Sequence, residues 1–191
     1  MFNKKLMAAA VAVSLASFAG SAFATDEVNK IDITFNGHVT APTCNITQTE
    51  KTVNLSDINL AELSDLATGK ATAQGKKNFK INLNCPEKIS QNNVKLAITG
   101  AADSTIPTVL ANSDTSEDSA EGVGFEIFSL SGGDQNVPLP VDGSAVPSAA
   151  YIDRLNAGDD NLEFAVEYAK VDSNVTAGNL TSKATFEFIY K

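Results

Sequence analysis

Apolar and polar residues alternate with a period of two in several separate segments of this chain. The segments lie at 31–39, 79–85, 94–98, 123–130, 162–168 and 184–190. Successive side chains of a β-strand point to opposite faces of the sheet, so this period is typical of half-buried strands. No long helical pattern separates the segments. The sequence therefore predicts an all-β fold, an antiparallel sandwich of immunoglobulin-like type.

Shorter features complete the prediction. Runs rich in glycine and aspartate at 131–134, 142–143 and 157–160 predict turns, as do Gly69-Lys70 and Gly75-Lys76. Leucines at helical spacing predict one or two helical turns within 55–66, and a phase change after Ile127 predicts a bulge. Additional short strands are predicted at 46–47, 52–55, 108–110 and 137–141. The sequence from residue 25 onwards shows no internal repeat and no linker that would divide it.

Residues 1–24 have the organisation of a secretory signal peptide. Lys4 and Lys5 precede an apolar stretch, and Ala22-Phe23-Ala24 supplies a small-x-small cleavage pattern. A membrane anchor is the alternative, but the stretch is short for a bilayer span of about 20 residues and is interrupted by two serines. We therefore expect cleavage after Ala24 and export of the mature chain.

The only two cysteines are Cys44 and Cys85. In an oxidising compartment outside the cytosol they are most simply a disulfide. Two free buried thiols are the alternative. Closing a loop of this size would stabilise the fold by roughly 4 kcal/mol in the chain-entropy model.

Charge and composition exclude several classes of function. The chain has 14 basic and 23 acidic residues, a net charge of −9, and a single histidine, His38. An acidic body argues against nucleic acid as a partner, and one histidine is too few for most zinc sites. No nucleophile elbow or phosphate-binding loop occurs. We expect no enzymatic activity, metal or cofactor, although paired carboxylates of a carbohydrate-active enzyme cannot be recognised from spacing alone.

The two ends of the chain pose a packing question. The last predicted strand runs to the end of the sequence with Phe186, Phe188 and Tyr190 on one face, and no segment follows to cover them. The segment before Cys44 carries a long alternation of its own. These features are compatible with an ordinary closed sandwich. They are equally compatible with strand addition between copies, in which one copy's N-terminal strand fills the next copy's groove. Such a contact is head-to-tail and generates a filament.

Three stretches carry a resemblance to a known family. These are Ile-Asp-Ile-Thr-Phe-Asn-Gly-His-Val at 31–39 followed by Ala-Pro-Thr-Cys at 41–44, Asn-Leu-Asn-Cys at 82–85, and the ending from Gly178 to the penultimate Tyr190. The chain resembles the type 1 fimbrial subunits, or pilins, of the chaperone–usher pathway of Gram-negative bacteria. The resemblance covers nearly the whole chain, with the region 101–160 matching only loosely.

The resemblance implies an immunoglobulin-like sandwich that lacks its last strand and is completed by donor-strand exchange. It implies a donor-strand extension at 25–40 and a pilin domain at 41–191, with Cys44–Cys85 as the family disulfide. The donor residues would be Ile31, Ile33, Phe35, Gly37 and Val39. The edge that receives a strand from the chaperone or the next subunit would include Gly178, Phe186, Phe188 and Tyr190.

The expected function is thus a structural subunit of a surface fimbrium that supports cell adhesion. The expected partners are other copies of the chain and related pilins, a periplasmic chaperone, an outer-membrane usher, and host surface glycans reached through the fibre. The route leads through the periplasm to the cell surface. The alternative is a minor adaptor or receptor-binding subunit, although only 25–30 precedes the predicted donor strand, which leaves no room for a separate lectin domain.

Overall fold

The computed structural model of the chain describes residues 44–47, 52–85, 94–131, 137–148, 151, 155 and 161–190. The strands are β1 (Asn45–Ile46), β2 (Lys70–Asn84), β3 (Val94–Gly100), β4 (Val109–Ala111), β5 (Val123–Ser129), β6 (Asp142–Ala145), β7 (Asn161–Lys170) and β8 (Ala184–Tyr190). One helix, α1, spans Leu60–Ser64. In the ranges given above, no helix is long and apolar enough to cross a membrane. The all-β prediction is confirmed.

Two sequence predictions lie outside the described residues. They are the signal peptide at 1–24 and the donor segment at 25–40, which includes Ile31, Ile33, Phe35, Gly37 and Val39. Both remain predictions, as does the domain boundary at residue 41.

The strands form two antiparallel sheets. One sheet has five strands in the order β1-β2-β7-β5-β4, and the other has three in the order β6-β3-β8. The pairing of β2 with β7 runs from Lys70–Lys170 to Asn82–Asn161 and is interrupted by a register shift between Thr72 and Lys77. Gly75 lies inside this irregularity with φ of +73°. A residue with a side chain would be strained there, so the shift depends on glycine.

The main core lies between the two sheets. Its buried members include Ile81 and Leu83 of β2, Leu162 and Phe164 of β7, Ile127 of β5, and Val94, Leu96 and Ile98 of β3. The segment 137–148 adds Leu139, Val141 and Val146. Apolar side chains at alternate positions of both sheets therefore face one another, which is the packing of a β-sandwich.

A second, separate apolar cluster packs against β5 and β7 of the five-stranded sheet. Leu63 of α1 packs with Ala120 and Val123, and Tyr168 lies against them. Two side chains of β7 fasten this covering segment, because the Tyr168 hydroxyl donates to the carbonyl of Ser56 (3.2 Å) and Lys170 Nζ donates to that of Ser64 (2.6 Å). The covering is thus made by α1 and irregular chain.

Tyr151 completes the edge of β3 beyond the end of β6. Its side chain is 2% exposed. Its hydroxyl donates to the carbonyl of Val94 (3.3 Å) and accepts from the backbone N–H of Leu96 (3.2 Å). One hydroxyl thus supplies both the donor and the acceptor that a neighbouring strand would otherwise provide.

Several local predictions need correction. The bulge predicted after Ile127 is wrong, since β5 pairs with β7 in unbroken register. Phe128 breaks the alternation because Ile127 and Phe128, which lie on opposite faces of β5, are both buried. A bulge occurs instead in β3–β6, where Gly143 has φ of +88°. The predicted turn at Asp142-Gly143 is therefore part of β6.

Other boundaries shift. The predicted helix of one or two turns within 55–66 is confirmed as α1, which begins at Leu60 because the Asn59 side chain accepts from Ala61 N (2.9 Å) and caps it. Gly75-Lys76, predicted as a turn, lies within β2. The segments 52–55 and 137–141 form no strand, and the latter only extends the edge beside β5 through a bond from Leu139 N to Ile127 O (2.8 Å).

Candidate subunit-binding edge

β8 lies at the edge of the three-stranded sheet. It pairs with β3 from Val94–Tyr190 to Gly100–Ala184. Among the strands of the described ranges, β3 is its only partner. Alternate residues of a strand in an antiparallel pair direct both N–H and C=O away from the partner. The outer side of β8 is therefore a row of donors and acceptors suited to strand addition.

The other terminal strands of the two described sheets are much shorter. β1 has two residues, β4 three and β6 four, whereas β8 has seven. Short edge strands are one way in which proteins prevent unwanted pairing. Among the terminal strands of the two described sheets, β8 is the longest.

Burial changes abruptly between β3 and β8. On the inward face, Val94, Leu96 and Ile98 are no more than 1% exposed. Their direct neighbours across the ladder are Tyr190, Phe188 and Phe186, and these are only half-buried. Both rows pack against the same core. The three residues predicted to share one face of the last strand do so, and their large side chains retain apolar surface at the sheet edge.

Three phenylalanine rings connect β8 to the opposite sheet. The Phe186 ring centroid lies 5.2 Å from that of Phe164 and 5.9 Å from that of Phe79, and Phe79 and Phe164 are 5.5 Å apart. Edge-to-face and offset contacts at these distances are favourable. Phe164 is fully buried, but Phe79 and Phe186 are half-buried. The cluster fixes the position of β8 against β2 and β7 while leaving one side accessible.

The disulfide and Tyr190 meet at the far end of β8. Cys44 and Cys85 form a disulfide, as predicted. The Tyr190 hydroxyl donates to the backbone carbonyl of Cys44 at 3.3 Å. Burial raises the pKa of Tyr190. The last residues of β8 are thereby fastened to the segment that enters β1.

Gly178 lies apart from the aromatic face with which it was grouped. It precedes β8 by six positions and lines a cavity of about 400 Å³ together with apolar residues of the segment 53–63. A Cβ at this position would overlap the carbonyl oxygen of Asp118 and lie 2.6 Å from the Ala120 nitrogen. Glycine is therefore required here because the backbone passes directly against 118–120.

Sequence reasoning did not identify Phe79 and Phe164 as the supports of Phe186. All three belong to segments with recognisable alternation. Their association depends on which strands face one another across the sandwich, and alternation carries no information on that point. The carbonyl of Cys44 was missed for a different reason, since backbone acceptors leave no signal in the side-chain pattern.

Comparisons with known proteins agree with this architecture. The family model described as "Fimbrial protein" matches residues 33–191, which is most of the chain. The type-1 fimbrial protein A chain of Escherichia coli is 30% identical over 184 residues, covering 94% of each chain. The laminin-binding fimbrial subunit ElfA of Escherichia coli O157:H7 is 25% identical over 190 residues, covering 98% of this chain and 99% of that protein.

A solved structure shares the fold. A chain from the structure of a chaperone-usher pilus superposes with a TM-score of 0.52 at 20% identity, covering 86% of this chain and 97% of that one. The antiparallel sandwich seen here is therefore the immunoglobulin-like fold of such subunits. The chain belongs to the Fimbrial protein family and is a structural fimbrial subunit with the fold of chaperone–usher pilins.

Proposed function

We propose that the subunit polymerises by donor-strand complementation at β8. The segment 25–40 of one copy adds as a strand to the outer side of β8 in the next copy. Ile31, Ile33, Phe35 and Val39 then cover the inward face, and Gly37 lets the two backbones approach closely. The observation that carries this proposal is the long β8 edge with a half-buried aromatic face.

The apolar donor side chains supply most of the binding energy. Burying one large apolar side chain contributes about 1.5–3 kcal/mol, so the four donors give roughly 6–12 kcal/mol as an upper bound. Hydrogen bonds along β8 add direction and a smaller net stabilisation. Removing the strand requires that these contacts break together, so dissociation is slow and the fibre is kinetically stable.

Donor and acceptor are different surfaces of the same chain. A contact of this kind leaves a free donor at one end of each assembly and a free edge at the other. It therefore continues into a filament rather than closing into a dimer. Other copies of the chain and related pilins are its partners in the fimbrium.

The route to the surface follows from the same unfinished edge. Before assembly, the half-buried face of β8 needs protection from unspecific pairing. A periplasmic chaperone supplies a strand at Phe186, Phe188 and Tyr190, and an outer-membrane usher is the place where the next subunit's extension replaces it. The fold shared with a chaperone-usher pilus subunit supports this assignment. The predicted signal peptide at 1–24 supports transit through the periplasm.

Adhesion is the role of the assembled fibre. One relative is named as a laminin-binding fimbrial subunit, which supports attachment to host surfaces by this chain as well. Host surface glycans are the ligand class we propose. No catalytic step or cofactor enters the proposal.

Two variants of adjacent residues test the donor assignment. Phe35→Asp places a charge on the face that enters the core, whereas Asn36→Asp places the same charge on the opposite, polar face. Each is expressed as the full chain in fimbriate cells that lack the native subunit, and fibres sheared from the surface are quantified. We expect loss of fibres with Phe35→Asp and near-normal yield with Asn36→Asp. Equal yields from the two variants would overturn the proposal.

A further inference from the structure

The side chain of Asn112 connects two segments that are distant in sequence. It is half-buried, and its Nδ2 lies 2.8 Å from the carbonyl of Ala120 and 2.9 Å from that of Asn179. Its Oδ1 accepts from the backbone nitrogens of Asp114 (2.9 Å) and Thr181 (3.0 Å). One amide thus holds its own loop and the chain that leads into β8.

Backbone contacts follow the same line. Ala120 N donates to Asn179 O at 2.9 Å, and Ser113 N donates to Thr181 O at 2.7 Å. The Ser182 hydroxyl also donates to the carbonyl of Ala111. The segment 179–182 is therefore held by the last residue of β4 and by the loop 112–120. β8 begins only two residues after Ser182.

β8 is consequently fastened at both ends. Asn112 and its loop hold the segment that leads to Ala184, and the hydrogen bond from Tyr190 to the Cys44 carbonyl holds the last residue of β8. Between these points, β3 and the three phenylalanine rings position the strand. An incoming strand must match the position of β8 along its whole length, because a displacement of one residue reverses which face each side chain occupies.

We propose that Asn112 is a positioning residue for strand addition. It fixes where the receiving edge starts and thereby the register in which a donor strand pairs with it. This inference rests on the proposed donor-strand mechanism at β8.

An amide is well suited to this position. It offers two N–H donors to carbonyls and an oxygen that accepts from backbone N–H groups. Aspartate keeps the acceptor but presents an oxygen to the carbonyls of Ala120 and Asn179, which leaves them without this donor. Alanine removes both functions.

The test compares Asn112→Ala and Asn112→Asp with Asn174→Ala in the full chain. Asn174 is an exposed asparagine at the start of the same connection between β7 and β8. Hydrogen exchange is measured on the soluble subunit from the cells, so that the result does not depend on polymerisation. In both Asn112 variants we expect exchange at 179–190 to become about tenfold faster while β5 and β7 are unchanged. Fibre yield falls in both, and Asn174→Ala resembles the wild type.

Three outcomes would overturn the inference. The first is unchanged exchange in β8, and the second is equally accelerated exchange throughout both sheets, which indicates a general structural role. The third is a loosened β8 with normal fibre yield. If Asn112→Ala fails to accumulate, Asn112→Ser, which retains a short hydroxyl, is measured in its place with the same criteria. The comparison of Phe35→Asp with Asn36→Asp tests the mechanism separately, since its result does not depend on Asn112.

Discussion

The hydroxyl of Tyr190 donates a hydrogen bond to the backbone carbonyl of Cys44, 146 positions earlier in the chain. Because Cys44 is covalently joined to Cys85 just after β2, this bond ties the end of the three-stranded sheet to the edge of the five-stranded one. The end of β8 is thus fixed relative to both sheets.

Removing this hydroxyl should loosen the end of β8. We expect Tyr190→Phe to lower the free energy of unfolding by about 0.5–1.5 kcal/mol and to reduce fibre yield. Tyr168→Phe is the matched control, because its hydroxyl donates to the Ser56 carbonyl on a different part of the molecule. Denaturant unfolding and quantified surface fibres are the measurements. A loss of fibres as large with Tyr168→Phe as with Tyr190→Phe would contradict a specific role for the Cys44 contact.

The inward face of β8 should matter far more than its outward face. Phe186→Ala removes a ring that packs on Phe79 and Phe164, and we expect a loss of about 2–3 kcal/mol. This is less than the roughly 3–5 kcal/mol of a fully buried phenylalanine, because Phe186 is only half-buried. Ile189→Ala, on the opposite face and 43% exposed, should change unfolding by about 0.5 kcal/mol at most. If Phe186→Ala lowered the free energy of unfolding no more than Ile189→Ala does, the ring cluster would contribute little to stability.

The approach to β8 should not tolerate a side chain at Gly178. Gly178→Ala would force the backbone away from Asp118 and Ala120, and we expect destabilisation of about 1–3 kcal/mol. Ala177→Ser, at the preceding exposed position, should have little effect. Thermal unfolding of the purified subunits distinguishes the two. A wild-type midpoint for Gly178→Ala would show that the close approach is not required.

The disulfide should stabilise the whole sandwich. The double variant Cys44→Ser with Cys85→Ser opens a loop whose ends are 41 positions apart. Chain entropy predicts a loss of roughly 4 kcal/mol, together with a lower periplasmic yield. Unfolding in denaturant and immunoblots of periplasmic extracts measure both. Unchanged stability and yield would remove the structural role of the bond.

Glu126 should make stability depend on pH. It is 3% exposed on β5 and accepts from the Thr108 hydroxyl at 3.0 Å. Burial raises the pKa of Glu126 against the opposing effects of the Thr108 hydrogen bond and of Lys70, and Glu167, directly opposite on β7, adds a smaller effect in the same direction as burial. A raised folded-state pKa means that the folded subunit binds the proton more tightly than the unfolded chain. The stabilisation of the folded state that arises from this raised pKa is therefore complete below the pKa of glutamate in the unfolded chain. It is lost as the pH rises through the pKa of Glu126 in the folded subunit.

The variant Glu126→Gln isolates this contribution. It keeps an acceptor for Thr108 and carries no charge, so its unfolding free energy should lack this part of the pH dependence and exceed that of the wild type at neutral pH. Denaturant titrations at a series of pH values provide the measurement. Glu117→Gln, an exposed glutamate, is the control. A parallel pH profile for wild type and Glu126→Gln would contradict the effect.

The alternation of apolar residues predicted what one strand does by itself. Phe186, Phe188 and Tyr190 were placed correctly on one face because a strand's period fixes its faces whatever the partner. The same rule failed at Phe128, which is buried on the face opposite to Ile127, so an interruption of the pattern did not mark a bulge. It also gave no sign that Asp142-Gly143 forms part of a strand, because a glycine with positive φ serves turns and bulges alike.

The contacts that fix β8 depend on three-dimensional neighbours. Asn112 lies in a polar region that reads as a loop, and its hydrogen bonds reach residues 67 and 69 positions away. The ring contacts of Phe186 with Phe79 require the two sheets to face each other. Polar side chains that join distant backbone segments leave no periodic trace in the sequence. The alternation and the resemblance at the chain ends therefore pointed to the residues of β8 but not to Asn112 or the ring contacts that support them.

The unequal lengths of the sheet edges limit how copies of this protein can grow together. At β1, β4 and β6, two to four residues offer too few hydrogen bonds for lateral stacking to persist. These three terminal strands are therefore poor templates for amyloid-like, side-by-side spreading. Elongation by the proposed strand addition at β8 then proceeds in a single dimension and gives an unbranched thread instead of a plaque.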